Sequence, residues 1–463
     1  MPLPRPVAAA PVKEPDRLPI DLPTALRLAD ASNPTVVVAR ARVAEAYARL
    51  RQADLYWLPN LTTGGTYQRH DGQIQNALGT VFTTSRQSLF VGAGAIARVH
   101  TSDALFLPLI ARRLVAAEAA AARATALNIQ LDVANAYLDL LSITAARAIN
   151  ADTLARAEEM LRLAEAADRA GLNKTPADVP RAQTEVAQRR QEAIDLQGRV
   201  AVVSARLAQL LLLAPDVDLV PADPAVVPVT LVPDRPLPEL VRTATAYRPE
   251  LAANRALAAA AADRLRQAQV GPFLPRLEVS YAGGTFGGGH NATFDNFGPR
   301  GDAVASATWE LQNLGLGNIA IARERNAQLI GANAHIVEVQ AQVSAEVVAA
   351  AKTARYRLQT LQVSQDAVRQ AVEMYRRLLE SSFGMAGNRA QYDALEPLLA
   401  IQALNQARVQ YLGEVIEYDR AQFRLYAALG QPPLCALPGE TKPVEVPVNP
   451  ARAGPEAAWR APR

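Results

Sequence analysis

The chain repeats one pair of words at an interval of almost half its length. Leu-Arg-Gln-Ala occurs at residues 50–53 and again at residues 265–268, which is 215 positions later. A Leu-Pro-x-Leu word follows in both places, at residues 58–61 and 274–277. Because this interval is far longer than a solenoid module, we interpret each half as one structural unit and the two halves as related by pseudo-symmetry.

Two very long helices are predicted, one in each half. Residues 105–170 contain no glycine and no proline other than Pro108, so a continuous helix there would extend for about 100 Å at 1.5 Å per residue. A second segment of this kind, residues 317–383, is interrupted only by Gly331. Both segments are much longer than the helices of ordinary globular proteins.

Each long segment carries the apolar repeat of a coiled coil. The stripe positions are Leu127, Leu131, Ala134, Leu138, Leu141 and Ala145 in the first segment, and Leu358, Leu361, Gln365, Val368, Val372, Tyr375 and Leu379 in the second. They advance in alternating steps of three and four residues, which places them along one face of a helix. After Gly171 and after Gly387 a second helix is predicted to return, giving two antiparallel helical hairpins with polar tips.

Short segments between the helices alternate polar and apolar side chains with a period of two, as strands do. The predicted strands are residues 61–70, 91–101, 277–286 and 303–312. Each half therefore holds one two-stranded hairpin, with a loop at about residues 71–86 or 287–301. Four strands are too few to close a barrel.

The predicted fold class is mainly α with a small β part. Residues 1–20 are a Pro-rich segment expected to lack regular structure, and residues 21–213 form the first repeat. Residues 214–236 are a Pro-rich connector, residues 237–431 the second repeat, and residues 432–463 a disordered Pro-rich tail.

Composition and charge exclude several classes of function. Hydrophobic residues make up 50% of the chain and aromatic ones only 5%, which fits long helices packed by small side chains. The net charge of +3 is close to balanced for this length, so no basic stripe argues for binding to nucleic acid. The single cysteine, Cys435, excludes an internal disulfide and a cysteine-based metal cluster. The chain contains no run of 18 apolar residues, so no transmembrane helix is predicted.

The first residues, Met-Pro-Leu-Pro-Arg-Pro, lack the apolar core of a secretory signal. We therefore expect either that the chain stays inside the cell, or that a signal or lipobox lies upstream or was removed. The residues alone leave open a soluble or periplasmic coiled-coil scaffold or adaptor, although such a protein has no need of the four strands.

The ordered, duplicated set of features resembles the TolC-like outer-membrane efflux proteins, the exit ducts of tripartite pumps. The resemblance covers residues 21–431 and rests on Asn33-Pro34, the two repeated words, the strand exit from Trp309 to Gly317, and the Gly-then-Asp hairpin tips. It implies a homotrimer in the outer-membrane lipid, with four strands per chain in a twelve-stranded barrel that continues as a helical periplasmic tunnel. It also implies two partners, a periplasmic adaptor protein and an inner-membrane pump. The cargo, whether drug, metal ion or polypeptide, stays open.

The resemblance also points to a pore gate, because the family closes its tunnel where the hairpin tips converge and acidic side chains ring the pore. The matching residues are Asp393 and Glu396, six and nine residues after Gly387, and Asp178 in the first tip. Three copies of Asp393 and Glu396 on one helix face would give six carboxylates near the axis. The competing interpretation is helix capping, with Glu396 as an N-cap before Pro397 and a capping box at residues 175–178.

A gate latch is implied at Arg389, which matches a family position that bonds to a neighbouring tip, here with Asp178 as the natural acceptor. The family's companion tyrosine has no counterpart, since its place falls near Gly384. The four histidines, His70, His100, His290 and His335, lack ligand spacing, and Gly287-Gly288-Gly289 lies in a predicted loop. We therefore expect no metal site, no cofactor and no catalysis, and we interpret Trp309 as a membrane-interface anchor.

Overall fold

The structure is a computed structural model that describes residues 17–173, 175–214, 216–223, 225–290, 295–381, 383–386 and 389–433. Cys435 and the tail from residue 434 lie outside the described residues, as does Gly387. The chain divides into two compact units. The first consists of Met1–Val37, Thr125–Arg248 and Val343–Arg463, and the second of Val38–Ala124 and Pro249–Gln342.

Helices dominate the described chain, as predicted. They are α1 (Leu22–Ser32), α2 (Pro34–Asp54), α3 (Thr101–Arg169), α4 (Asp178–Leu211), α5 (Leu237–Tyr247), α6 (Pro249–Val270), α7 (Leu316–Ser381) and α8 (Leu395–Ala428). Asn33 and Arg248 interrupt their helices in an extended conformation because each precedes a proline. None of the described helices is both long enough and apolar enough to cross a membrane.

One antiparallel sheet of four strands lies in the second unit. Its strands are β2 (Asn60–Gln75), β3 (Val81–His100), β5 (Arg276–His290) and β6 (Asp295–Thr308), in the spatial order β2, β3, β5, β6. The two hairpins therefore join through β3 and β5, and β2 and β6 are the edge strands of the sheet.

These strands are longer than expected, so the predicted loops at residues 71–86 and 287–301 were wrong over most of their length. The first connection covers only residues 76–80, where Asn76 Oδ1 accepts hydrogen bonds from the backbone N–H groups of Leu78 and Thr80. Glycines that suggested a loop instead allow close approach within the sheet, since a Cβ on Gly288 would lie 2.5 Å from the carbonyl oxygen of Gln87.

A small parallel pair of strands joins the start of the described chain to the connector. β1 (Arg17–Ile20) pairs with β4 (Asp218–Pro221), and the hydroxyl of Ser204 accepts a 2.7 Å hydrogen bond from Leu219 N. The expectation that residues 1–20 lack regular structure was therefore wrong for residues 17–20. Ladder hydrogen bonds to β4 order this segment, and its own sequence pattern did not reveal them.

The core of the first unit follows the predicted stripe along α3, where Leu127, Ala134 and Leu138 are buried. Along α7 only part of the predicted stripe is buried. Leu361 is buried, but Leu358 and Val372 are 41% and 43% exposed. The other buried positions of this helix include the small residues Ala354, Ser364 and Ala371, one step of three or four away from the predicted ones.

Candidate functional site

The first hairpin tip turns at a glycine with a left-handed backbone. Gly171 has a φ of 67°, and the segment after it is held by the side-chain amide of Asn173, which donates to the carbonyl of Ala164 at 3.2 Å. This turn brings the start of α4 back along the end of α3, and it places Asp178 as the first residue of α4.

Asp178 is fully buried, and contacts within its own chain occupy its carboxylate. Its oxygens accept hydrogen bonds from Thr175 N at 3.0 Å and Thr175 Oγ1 at 2.8 Å, and Arg181 lies 3.3 Å away as an ion-pair partner. The first of these bonds has the donor and acceptor of one half of a capping box. However, α4 begins at Asp178 itself and its N-cap residue, Ala177, has no side-chain capping bond, so the complete capping box expected at residues 175–178 is not formed. The carboxylate of Asp178 instead holds the turn that precedes α4.

The second tip differs from the prediction because a short β-hairpin precedes the returning helix. β7 (Phe383–Ala386) pairs with β8 (Arg389–Tyr392), and Arg389 lies opposite Ala386 in the register. The expected latch residue therefore lies on a strand, and its side chain falls outside the described residues. Gly384, at the place of the missing tyrosine, pairs with Gln391.

Asp393 and Glu396 do not share one helix face, which corrects the prediction. Asp393 precedes α8, is partly buried, and its Oδ1 accepts a 3.0 Å hydrogen bond from Leu395 N. Glu396 lies inside the first turn of α8 and is exposed, so it is not the N-cap. Because the hairpin delays the start of α8 to Leu395, only one of the two carboxylates is carried by the helix.

The two tips pack against each other in the first unit through a cluster of alanines and larger apolar side chains. The shared cluster contains Met160, Ala164, Ala167, Ala182, Ala394, Leu398 and Ile401, from α3, α4 and the start of α8. Ala394, between Asp393 and Glu396 in the sequence, is completely buried. The candidate gate residues of the second tip therefore sit directly on the helices of the first.

Sequence reasoning missed a buried polar link between α4 and α8. Gln402 Nε2 donates to Glu185 Oε2 at 2.6 Å, and Arg189 Nε lies 3.0 Å from Glu185 Oε1. Glu185 is 2% exposed and follows the buried Ala182 on the same side of α4. The sequence signal that could have revealed this link is a carboxylate within an apolar stripe of α4.

A second missed cluster joins α3, α7 and α8. Asp152 pairs with Arg156 on its own helix and with Arg408 on α8, and these hydrogen bonds lower the pKa of Asp152, that to Arg156 most. The guanidinium of Arg156 stacks on the ring of Tyr375, 5.0 Å from its centre. This cluster therefore links three helices through charged side chains and one aromatic ring.

Metal chemistry finds no support in the described part of the chain. No three side chains of histidine, cysteine, aspartate or glutamate there lie close enough together to hold an ion. His100 and His335 each contact a single nearby carboxylate, of Asp103 and Glu338. Trp309 follows the last residue of β6 and is 62% exposed.

Comparison with known proteins shows which families and structures this chain is similar to. Residues 25–211 match the family model of outer membrane efflux proteins. Among solved structures, the outer membrane protein VceC of Vibrio cholerae is 20% identical with a TM-score of 0.70, covering 89% of this chain and 96% of its own. The MtrE outer-membrane channel of Neisseria gonorrhoeae, in its open state, is 18% identical with a TM-score of 0.68 and 89% coverage of both chains.

The CmeC outer-membrane channel of Campylobacter jejuni is 13% identical with a TM-score of 0.69, covering 88% of this chain and 85% of its own. No curated protein sequence matches this chain significantly. The predicted resemblance is therefore confirmed, over residues 25–211 by sequence and over most of the chain by fold. The matching family and structures are outer-membrane proteins, in agreement with the predicted location in the outer membrane, and the matching structures are channels.

Proposed function

Because this chain resembles the TolC-like outer-membrane efflux proteins in sequence and fold, we propose that it is the passive exit duct of a tripartite efflux or type I secretion system. In this proposal three copies close one twelve-stranded barrel, and a periplasmic adaptor and an inner-membrane pump deliver the cargo. The observation that carries the proposal is the open four-stranded sheet.

The sheet has two edge strands, β2 and β6, and in a lipid bilayer the unpaired backbone groups of such edges would have no partner. Pairing β2 of one copy with β6 of the next removes every edge when the ring closes. One face of the sheet also exposes large apolar side chains, with Leu61 83%, Val279 59% and Tyr281 60% exposed. Exposure of these apolar side chains to water would be unfavourable, whereas a lipid bilayer would cover them.

The same proposal assigns the opposite face to a water-filled passage. Arg98 on β3 and Glu278 on β5 pair across this face at 3.2 Å, directly opposite each other in the register. The long helices α3 and α7, with the returning α4 and α8, would form the tunnel as two duplicated hairpins per chain. The exposed Leu358 and Val372 of α7 would then contact a neighbouring copy.

We place the gate at the second tip. Glu396 is exposed and has no hydrogen bond or ion pair with any described residue, so three copies would present three free Glu396 carboxylates, each close in sequence to the bonded carboxylate of Asp393. Arg389 is proposed as the latch between neighbouring tips. The contacts of Asp178 support a role in shaping the first tip, through which it would contribute to the gate.

Fractionation and electrophoresis test the proposed function. The protein should be found in the outer membrane and run in detergent as a trimer that dissociates on heating, and the trimer should conduct ions in a planar bilayer. Recovery of a soluble protein without such a trimer would overturn the duct and favour the coiled-coil scaffold.

A further inference from the structure

Two cavities adjoin each other in the second unit, where its helices give way to strands. One has a volume of about 370 Å³ and the other about 530 Å³, and they share three lining residues, Arg264, Gln267 and Arg325. Each volume lies in the range of small-molecule sites, roughly 300–1,000 Å³. The shared residues make the two cavities neighbouring compartments of one site.

The smaller compartment is polar, and one of its three lining arginines, Arg264, has no partner among the described residues. Its two carboxylates already have partners, because Asp103 accepts a 2.8 Å hydrogen bond from Gln267 and Glu310 pairs with Arg276 at 2.6 Å. Arg264, by contrast, forms no hydrogen bond or ion pair with any residue that the structure describes. A guanidinium in this situation is best satisfied by a carboxylate, sulfonate or phosphate.

The larger compartment is mainly apolar. Tyr56 of the segment after α2 and Leu107, Ile110 and Leu114 of α3 form its walls, and Ile110 is only 5% exposed. Arg264 and Arg325 lie at the boundary between this apolar space and the polar one. Arg325 already donates a 2.9 Å hydrogen bond to Gln328 and lies 3.6 Å from Glu324, which leaves Arg264 as the arginine that is open to a ligand.

Both copies of the repeated Leu-Arg-Gln-Ala word line these compartments. Gln52 and Ala53 of the first copy line the apolar one, and Gln267 and Ala268 of the second line the polar one. The repeated words therefore lie beside these compartments, near the place where each helix ends and its strand hairpin begins. Their glutamine and alanine residues build the walls of a shared site.

We propose that this site binds an amphipathic anion, with its acidic group on Arg264, beside Arg325, and its hydrocarbon part against Leu107, Ile110 and Leu114. The polar compartment alone would hold a simple anion, and the apolar one a neutral hydrocarbon. Their junction at two arginines selects a molecule that has both parts.

The polar compartment is continuous with the polar face of the sheet. His100 and Arg276 line it, they lie opposite each other in the register, and the pair Arg98 and Glu278 follows two residues further along the same face. A ligand could therefore arrive along the face that would line the passage. That route, which would make amphipathic anions a cargo class, rests on the proposed function, whereas the binding itself does not.

Binding is tested with the full-length trimer in phosphatidylcholine nanodiscs, with dansylundecanoate as the fluorescent probe. We expect saturable binding, and Arg264→Gln should weaken it about tenfold, as expected for the loss of one charge-assisted hydrogen bond. Arg266→Gln is the matched control, because Arg266 is the neighbouring, exposed arginine of the repeated word and does not line either compartment. Ala111→Phe, which narrows the apolar compartment, should weaken binding while the trimer persists.

Equal affinity in Arg264→Gln and wild type, or equally tight binding of the uncharged dansylundecanol, would overturn the proposal. Nanodiscs that contain phosphatidylglycerol distinguish the source of the ligand. Loss of probe binding there identifies a lipid, and undiminished binding identifies a soluble amphiphile, and both outcomes support the site. Conductance of the same preparations separates the two proposals, since a conducting trimer that binds no probe removes only the site.

Discussion

The buried carboxylate of Glu185 on α4 accepts a 2.6 Å hydrogen bond from the side-chain amide of Gln402 on α8. Arg189 adds an ion pair to the same carboxylate, so one charged group inside an apolar interface has a partner on each side. Such groups stabilise a fold only while their partners remain in place. The link therefore makes the packing of the two returning helices sensitive to a single side chain.

Replacement of this carboxylate should destabilise the protein. Glu185→Ala leaves Arg189 with only Glu192 as a partner in the described chain, and we expect the free energy of unfolding to fall by about 2 kcal/mol. Glu192→Ala is the control, because this more exposed carboxylate contacts the same arginine and should contribute less than about 1 kcal/mol. Denaturant unfolding measures both, and equal losses would contradict the special role of Glu185.

The carboxylates of the second tip should govern block by cations. In single-channel recordings, Asp393→Ala combined with Glu396→Ala should weaken block by divalent or trivalent cations about tenfold or more, because the negative charge that attracts them is removed. Glu338→Ala, on an exposed part of α7 in the second unit, serves as the control. Unchanged block in the double variant would remove these residues from the gate.

Removal of the proposed latch should open the resting channel. Arg389→Ser is expected to raise the resting conductance severalfold, since a charge-assisted bond between neighbouring tips would be lost. Arg377→Ser, near the end of α7, removes an exposed arginine that pairs with Glu373 on its own helix and should leave the conductance unchanged. A closed channel in both variants argues against the latch.

Asp419 should make stability depend on pH. Burial raises the pKa of its carboxyl group to about 7. The hydrogen bond that the carboxylate accepts from Val229 N lowers the pKa, but by less than burial raises it. The folded protein then binds the proton more tightly than the unfolded chain, so stability should fall as the pH rises from about 4 to 7, by up to about 1.4 kcal/mol per unit. Asp419→Asn should abolish this part of the dependence. Parallel stability curves for the two proteins between these pH values would show the prediction to be wrong.

A methyl group at Gly430 should not be tolerated. Gly430 has a φ of 79°, and an added Cβ would lie 2.7 Å from the backbone of Tyr247. We expect Gly430→Ala to cost about 2 kcal/mol through strain and steric conflict. Gly198→Ala, on an open face of α4, should instead be neutral or stabilising by up to about 1 kcal/mol, and thermal unfolding of both variants gives the comparison.

The helices were predictable because local covalent constraints define their ends. Pro34 and Pro249 force the preceding residues out of the helix, and Gly171 supplies the left-handed turn that ends the first hairpin tip. These constraints act within a few residues of sequence. The predicted turn after Gly171 therefore agrees with the structure.

The strands and the candidate gate depend on contacts that the local pattern does not contain. Residues 81–86 were predicted as loop because their polar side chains hide the alternation, yet they pair with β2 through the backbone. Likewise, the β7 and β8 hairpin moves Asp393 off the helix, although the spacing from Gly387 to Glu396 suggested a continuous helix.

The pairing of β1 with β4 joins residues about 200 positions apart, Arg17 with Asp218, and the N–H of Ala222 also donates to the carbonyl of Ile20. During synthesis β1 therefore has no partner until β4, about 200 residues later, has been made. Contacts of such long sequence separation form late and slowly, because the entropy of a large loop must be lost before they contribute. β1 is accordingly expected to acquire its native structure later than the helices that follow it.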